Sequence, residues 1–360
     1  MRFSVRVMVA VAAVFALVVT ACGDDDDVTS AATDRPTVVV TTNILGDVVE
    51  NLVGEEMNVV TIMPVGADPH DFQASAQQVA EIGEAEVLVV NGAAFEEGLL
   101  DVIESAEDDG VPVFEAIGAV STVEFGEGSH DEHDDEEEHG DDEHEAAEDH
   151  EGEEHADDDE HEEEGEEHEG EDHADEGDHE HEGADPHFFT DPARMALAAE
   201  AVADFLIDTV EGVDAAALRS NADAYIAELE AVDTEVAQTL EGLSEDQRVL
   251  VTNHEVFGYF ADRYDFEVVG TVIPGGSTVD TASAQALAEL AETIEDEGVP
   301  AIFADTSSSE ELAQTLADEV GEVEVVELYS ESLGDQDSDG ATYLQMVRTN
   351  ADRIAAALGA

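Results

Sequence analysis

The stretch VDAAALRSNADAYIAELEAVDTEVAQTLEG, residues 213–242, decides the fold because it divides the 360-residue chain into two similar halves. Its apolar residues recur at every third or fourth position, which predicts one amphipathic helix that ends at Gly242. At about 1.5 Å per residue, a helix of about 28 residues is some 40 Å long, enough to lie along two domains. We therefore assign residues 213–243 to a long linking helix. Its apolar face comprises Leu218, Ala222, Tyr225, Leu229, Val232, Val236 and Leu240.

Short β-branched runs alternate with helical segments on both sides of this helix. There are eight such runs, four on each side: residues 37–43, 59–63, 87–92, 111–114, 249–254, 266–273, 301–306 and 323–329. Near-continuous apolar strands separated by helices are typical of parallel sheets covered on both faces. The expected fold class is α/β with two lobes, each a mainly parallel sheet flanked by helices, joined by one long rigid helix. The N-terminal lobe would occupy residues 37–212 and the C-terminal lobe residues 244–360.

The chain is strongly acidic, and much of its charge lies in one insertion. It has 95 Asp and Glu residues and nine basic residues, all arginine, which gives a net charge of −86. Such a charge excludes a nucleic-acid-binding protein, which needs a basic face for phosphate. Residues 130–181 hold 32 of the acids, 11 histidines and no valine, leucine, isoleucine or aromatic residue. We therefore predict that residues 126–184 form a disordered acidic loop inserted into the N-terminal lobe.

The histidines of this loop are candidate weak metal sites, because imidazoles and carboxylates at irregular spacing can hold several ions loosely. They are His130, His133, His139, His144, His150, His155, His161, His168, His173, His179 and His181. Such a loop could raise the local concentration of the metal or sense an excess of it. The alternative is a solvated, dispensable spacer.

The first residues have the features of a secretory signal. Two arginines precede an apolar run at residues 7–19, which is too short for a permanent transmembrane helix and is followed by small residues. Cys22, the only cysteine, stands where these small residues end, so an internal disulfide is excluded. This arrangement resembles the bacterial lipobox. We expect a signal peptide at residues 1–21, lipidation of Cys22, a polar tether at residues 22–36, and anchoring of the protein to the cell membrane outside the cytoplasm.

Three histidines lie outside the loop, each where a strand or loop ends and a helix begins: His70, His187 and His254. Ligands of open α/β sheets bind at such edges. Asp68 and Asp185 each lie two residues before a histidine, with a proline between them that fixes the backbone. We expect each aspartate to orient the ring of its histidine. Three neutral imidazoles and one carboxylate would complete a tetrahedral zinc site.

Four segments resemble the signatures of one bacterial family: GADPHDF (66–72), DPHFFTDP (185–192), NHEVFGYFADRY (253–264) and LYSESLG (328–334). In this order they are similar to the zinc and manganese solute-binding proteins of ABC transporters, also called cluster A-I binding proteins. The likeness runs from Thr37 to the C-terminus and is interrupted only by the acidic loop. It implies two α/β lobes joined by one long helix, with the metal between the lobes. Zinc-type members also carry a histidine-rich acidic loop at this place.

The resemblance places the metal ligands at His70, His187, His254 and Glu331. Many members have aspartate at the position of Glu331, and Asp305 and Glu255 are alternatives for the fourth ligand. Manganese-type relatives usually have a carboxylate where His254 stands. Because imidazole suits zinc and manganese prefers more oxygen, we expect Zn²⁺ as the bound metal and Mn²⁺ as the alternative.

These features predict an extracytoplasmic zinc-binding protein that captures Zn²⁺ between its lobes and delivers it to an ABC permease in the cytoplasmic membrane. We expect a monomer without catalytic activity, because the sequence has neither an HExxH nor a GxSxG motif and four protein ligands leave no position for a catalytic water. Two alternatives stay open. One is a manganese-binding protein of the same kind, and the other is a metal-buffering or adhesion lipoprotein that serves no transporter.

Overall fold

The computed structural model describes residues 35–125, 183–279, 281–321 and 323–360. The expected signal peptide, Cys22 and all eleven loop histidines lie outside these residues. The boundaries of the lobes, the tether and the acidic loop therefore stay predictions. In the described part of the chain, no helix is both long and apolar enough to span a membrane.

Eight short strands lie in the described residues and form two sheets of four, with every neighbouring pair parallel. The strand orders are β2-β1-β3-β4 and β6-β5-β7-β8, so each half of the chain builds the same topology. The bounds are β1 Thr37–Val40, β2 Asn58–Thr61, β3 Val87–Val90, β4 Val113–Glu115, β5 Val249–Thr252, β6 Glu267–Thr271, β7 Ala301–Asp305 and β8 Glu324–Leu328. All residues of the inner strands β3 and β7 are buried, as in a sheet covered on both faces. The predicted fold class is confirmed.

Nine α-helices flank these sheets within the described residues: α1 Asn43–Val53, α2 Ala76–Gly83, α3 Leu100–Asp108, α4 Pro192–Thr209, α5 Ala215–Leu240, α6 Gly258–Tyr264, α7 Ala284–Glu297, α8 Glu311–Val320 and α9 Tyr343–Leu358. Local sequence fixes where they begin. The carboxylate of Asp214, for example, accepts hydrogen bonds from the amides of Ala216 and Ala217 and so caps α5. Helix α3 packs against α2 and buries Ile103 and Ala106.

Helix α5 corresponds to the predicted linking helix. All seven residues of its predicted apolar face are buried, and it packs against α1, α4 and α9. One apolar cluster therefore extends from Val38 in the first sheet, through Leu229 of α5, to Tyr343 of the last helix. Two smaller clusters complete the core on the other face of each sheet. The two lobes thus share one continuous core along the linking helix.

The candidate ligands stand in loops that leave the carboxyl ends of strands or lead into helices. His254 follows β5, Glu331 follows β8, His70 lies between β2 and α2, and His187 comes shortly before α4. Parallel strands present their carboxyl ends at a common edge, which is where ligands of such sheets bind. The topology therefore brings residues from distant parts of the sequence to one place.

Candidate metal centre

The structure brings His70, His187, His254 and Glu331 together in a buried cluster. Each offers one ligand atom, and these four atoms lie within 4.8 Å of one another. The two residues from the C-terminal half and His187 are at most 1% exposed, and His70 is 5% exposed. Among the described residues, this is the one group of histidine, cysteine and carboxylate side chains that could hold a metal ion.

One oxygen of Glu331 lies at the centre of the cluster. Its Oε1 is 2.8 Å from Nε2 of His70, 3.0 Å from Nε2 of His254 and 3.4 Å from Nε2 of His187. All three imidazoles thus present the same nitrogen to one carboxylate. Nε2 of His187 makes no hydrogen bond to any described residue, which is costly for a buried polar atom and fits a group that binds a cation.

The outer ring nitrogen of His187 is held as the sequence suggested. Its Nδ1 lies 2.7 Å from Oδ1 of Asp185, and the same oxygen accepts the backbone amide of His187 at 2.9 Å. With a proton on Nδ1 for this carboxylate, the lone pair of Nε2 is free to bind a metal.

The corresponding contact of His70 differs from the sequence prediction. Asp68 accepts the backbone amide of His70 at 2.9 Å and the hydroxyl of Thr278 at 2.6 Å, and it does not bond the ring. Glu97 takes that place instead, with Oε1 3.0 Å from Nδ1 of His70. Glu97 follows β3, so it lies beyond the carboxyl end of a strand, where ligands of parallel sheets bind.

The same loop after β3 supplies an apolar wall. The ring of Phe95 packs edge-on against His70 and His187, with centroid distances of 5.2 and 5.4 Å. To reach this position the backbone takes positive φ values at three consecutive residues, Gly92, Ala93 and Ala94. Left-handed backbone is unfavourable for alanine, so the fold stores strain in the segment that positions this ring.

Burial and charge shift the ionisation of the cluster in opposite directions. Burial alone would raise the pKa of the Glu331 carboxyl, but the neighbouring imidazoles, His254 foremost, hold it well below its usual value. Burial would lower the pKa of His187, but the charges of Asp185 and Glu331 outweigh it and raise it to about 9. Burial is also the largest influence on the pKa of His70 and would lower it, but the hydrogen bond and charge of Glu331, together with the charge of Asp68, raise this pKa overall. Glu331 is therefore an anion that attracts a cation.

The two alternative carboxylates lie outside the converging set. Asp305, at the end of β7, accepts hydrogen bonds from the amide and the hydroxyl of Ser307 at 2.8 and 2.7 Å. Its burial, together with the charge of Glu331, raises its pKa to about 8. Glu255 lies next to His254, but its carboxylate is not part of the cluster either. Of the three carboxylates considered, Glu331 is the one that meets the imidazoles.

The fold and the site define a two-lobed, metal-binding solute-binding protein. A family model described as zinc-uptake complex component A, periplasmic, matches residues 38–357, and the chain belongs to this family. Its members are the substrate-binding components of ABC transporters for metals, and not enzymes. The expected family is thereby confirmed.

Both zinc-binding and manganese-binding proteins are among the relatives. The manganese-binding lipoprotein MntA of Halalkalibacterium halodurans is 24% identical over 346 residues, which are 96% of each chain. The zinc-binding protein TroA of Treponema pallidum is 27% identical over 342 residues, 91% of each chain. The solved structure of the latter protein superposes with a TM-score of 0.70 at 26% identity and covers 91% of this chain and 100% of that one.

Proposed function

We propose that this protein binds Zn²⁺ between its lobes and delivers it to an ABC permease in the cytoplasmic membrane. The observation that carries the proposal is the buried convergence of three imidazole Nε2 atoms on Oε1 of Glu331. Three nitrogens and one carboxylate oxygen are a tetrahedral donor set of the kind that zinc accepts. Four protein ligands leave no position for a reactive water, so the site favours capture over catalysis.

The choice of zinc over manganese rests on the donor atoms. Manganese prefers more oxygen ligands and a larger coordination number, whereas imidazole suits zinc. Asp305, a carboxyl whose pKa is raised by burial and by the charge of Glu331, already accepts two hydrogen bonds from Ser307 and does not belong to the cluster of four ligand atoms. The names of the relatives divide between the two metals, so the ligand set of this chain decides our proposal.

The remainder of the chain fits delivery at a membrane. Relatives such as MntA are named lipoproteins, in keeping with lipidation of Cys22 and anchoring outside the cytoplasm. We propose that the eleven loop histidines bind further zinc ions weakly beside the tight site. A lipid on Cys22 would appear as an added mass on the N-terminal peptide of the mature protein.

Zinc titration with manganese competition tests the proposed metal. Protein that begins at residue 23 should bind one zinc ion tightly and retain it in excess manganese. His187→Ala should lose this tight site, because it removes one of four ligands. His155→Ala, a loop histidine, is the matched control and should keep it.

The alternatives give different results. Displacement of zinc by equimolar manganese would identify the protein as a manganese carrier. Equal binding by the two histidine variants would show that the cluster is not the tight site. The zinc-loaded protein should stimulate ATP hydrolysis by a metal ABC transporter of its own cell. Tight zinc binding without such stimulation would favour the alternative of a buffering lipoprotein.

A further inference from the structure

Asn43, the first residue of α1 in the N-terminal lobe, contacts the segment of the C-terminal lobe that carries Glu331. Its Oδ1 accepts the backbone amide of Leu333 at 2.7 Å, and its Nδ2 donates to Oγ of Ser332 at 3.0 Å. The amide of Gly66, also in the N-terminal lobe, donates to the same hydroxyl at 2.7 Å. Asn43 is 7% exposed and Ser332 is 1% exposed, so these bonds are shielded from water.

The same segment is also held from within its own lobe. Asn350 of α9 accepts the amide of Tyr329 at 3.0 Å and donates to the carbonyl of Tyr329 at 2.7 Å. Glu331 therefore lies between two buried asparagines, one in each lobe. Movement of the lobes apart would break the bonds of Asn43 and leave those of Asn350 intact.

The contacts of Asn43 matter for the metal because His70 and Glu331 come from different lobes and lie only 2.8 Å apart. Separation of the lobes would pull Glu331 away from His70 and would break the hydrogen bonds that Asn43 makes to Ser332 and Leu333. We propose that Asn43 is a positioning residue that holds Glu331 against the ligands of the N-terminal lobe and thereby slows the release of bound metal. This inference rests on the proposed function.

The release rate of zinc tests the inference. The mature protein, loaded with one equivalent of zinc, is mixed with excess chelating dye, and the release rate constant is measured for Asn43→Ala and Asn350→Ala. We expect Asn43→Ala to release zinc about tenfold faster than wild type, since a buried hydrogen-bond network across the lobes is lost. Asn350→Ala loses two side-chain bonds to the same segment but none between lobes, and should change the rate less than about twofold while lowering the melting temperature.

Ser332→Ala removes the hydroxyl that both Asn43 and Gly66 contact from the N-terminal lobe, and it provides a second test if Asn43→Ala does not fold. It should also speed release, and the double variant should release zinc no faster than the faster single variant, because both changes break one network. The positioning role would be overturned if folded Asn43→Ala and Ser332→Ala released zinc at the wild-type rate. It would also be overturned if Asn350→Ala released zinc as fast as Asn43→Ala. Absence of a tight zinc site in the wild-type protein would instead overturn the proposed function.

Discussion

At the scale of single residues, the three imidazoles differ in what holds them. Asp185 bonds both the ring and the backbone of His187. The ring of His70 bonds Glu97, which is partly exposed. Nδ1 of His254 has no hydrogen-bond partner among the described residues, so packing and the contact of Nε2 with Glu331 hold that ring. The orientation of His187 therefore depends most on a single neighbour.

Asp185→Asn should weaken zinc binding more than any other change outside the four ligands. The amide oxygen can accept the same two hydrogen bonds, but it lacks the negative charge that makes the carboxylate a strong partner of Nδ1. Loss of such a partner of a ligating histidine typically costs roughly 10- to 100-fold in affinity. Competition with a chelator of known affinity measures the effect. Asp68→Asn is the matched control, because Asp68 bonds the backbone of His70 and not its ring. This variant should lose less zinc affinity. Equal losses in the two variants would contradict this ranking.

The raised pKa of His187 predicts how zinc binding depends on pH. Relative to its ordinary value of 6.5, a pKa of about 9 means that the metal-free protein gains stability from the charged ring below pH 6.5 and loses it as the pH rises through about 9. Zinc competes with this proton, so its affinity should rise over the same interval. Melting temperatures of metal-free and zinc-loaded protein across this range should therefore diverge as the pH rises. A constant difference between them would show that His187 carries no proton in the metal-free protein.

At the scale of elements, the start of α6 controls the position of Asp185. A Cβ at Gly258, the first residue of this helix, would lie 2.6 Å from Oδ2 of Asp185. Gly258→Ala should therefore displace this carboxylate and weaken zinc binding by roughly tenfold, although alanine favours helix formation. Gly83→Ala, at the end of α2, meets no atom within 4 Å and should leave zinc affinity unchanged. Competition with a chelator measures the zinc affinity of both variants. A wild-type affinity in Gly258→Ala would mean that Asp185 can move without disturbing His187.

Elements with a strong apolar pattern were predictable from the sequence, and contacts between elements were not. The seven buried positions of α5 follow directly from their spacing over 26 residues, whereas α3 has nine residues and buries two of them, which offers few repeats of a helical period. Which side chain bonds a given histidine depends on which strand ends lie side by side. Glu97 and Asn43 lie far in sequence from the residues they hold, so only the three-dimensional structure assigns their roles.

At the scale of the whole molecule, the two halves of the chain have the same topology, and each contributes two candidate ligands to one site. His70 and His187 come from before α5, and His254 and Glu331 from after it. The ligand types could be read from the sequence through a family resemblance. Their convergence needs both sheets to be held in place by the core that they share along α5.

The architecture also predicts that the acidic insertion can be removed without loss of the site. Its two ends are adjacent, because Glu124 and Ala184 form an antiparallel bridge and the amide of Asp185 donates to the carbonyl of Val123 at 2.9 Å. Replacement of residues 126–182 by two glycines would join the chain on either side of the bridge between Glu124 and Ala184 through a short hairpin loop. We expect the shortened protein to keep one tight zinc site, with an unchanged melting temperature for the metal-free form, and to lose the weak sites. Calorimetric titration gives the number of zinc ions bound per protein. A full-length variant with all eleven loop histidines changed to serine separates the contribution of the imidazoles to weak zinc binding from that of the acidic residues. An identical number of bound zinc ions in all three proteins would exclude a metal-collecting role for the insertion.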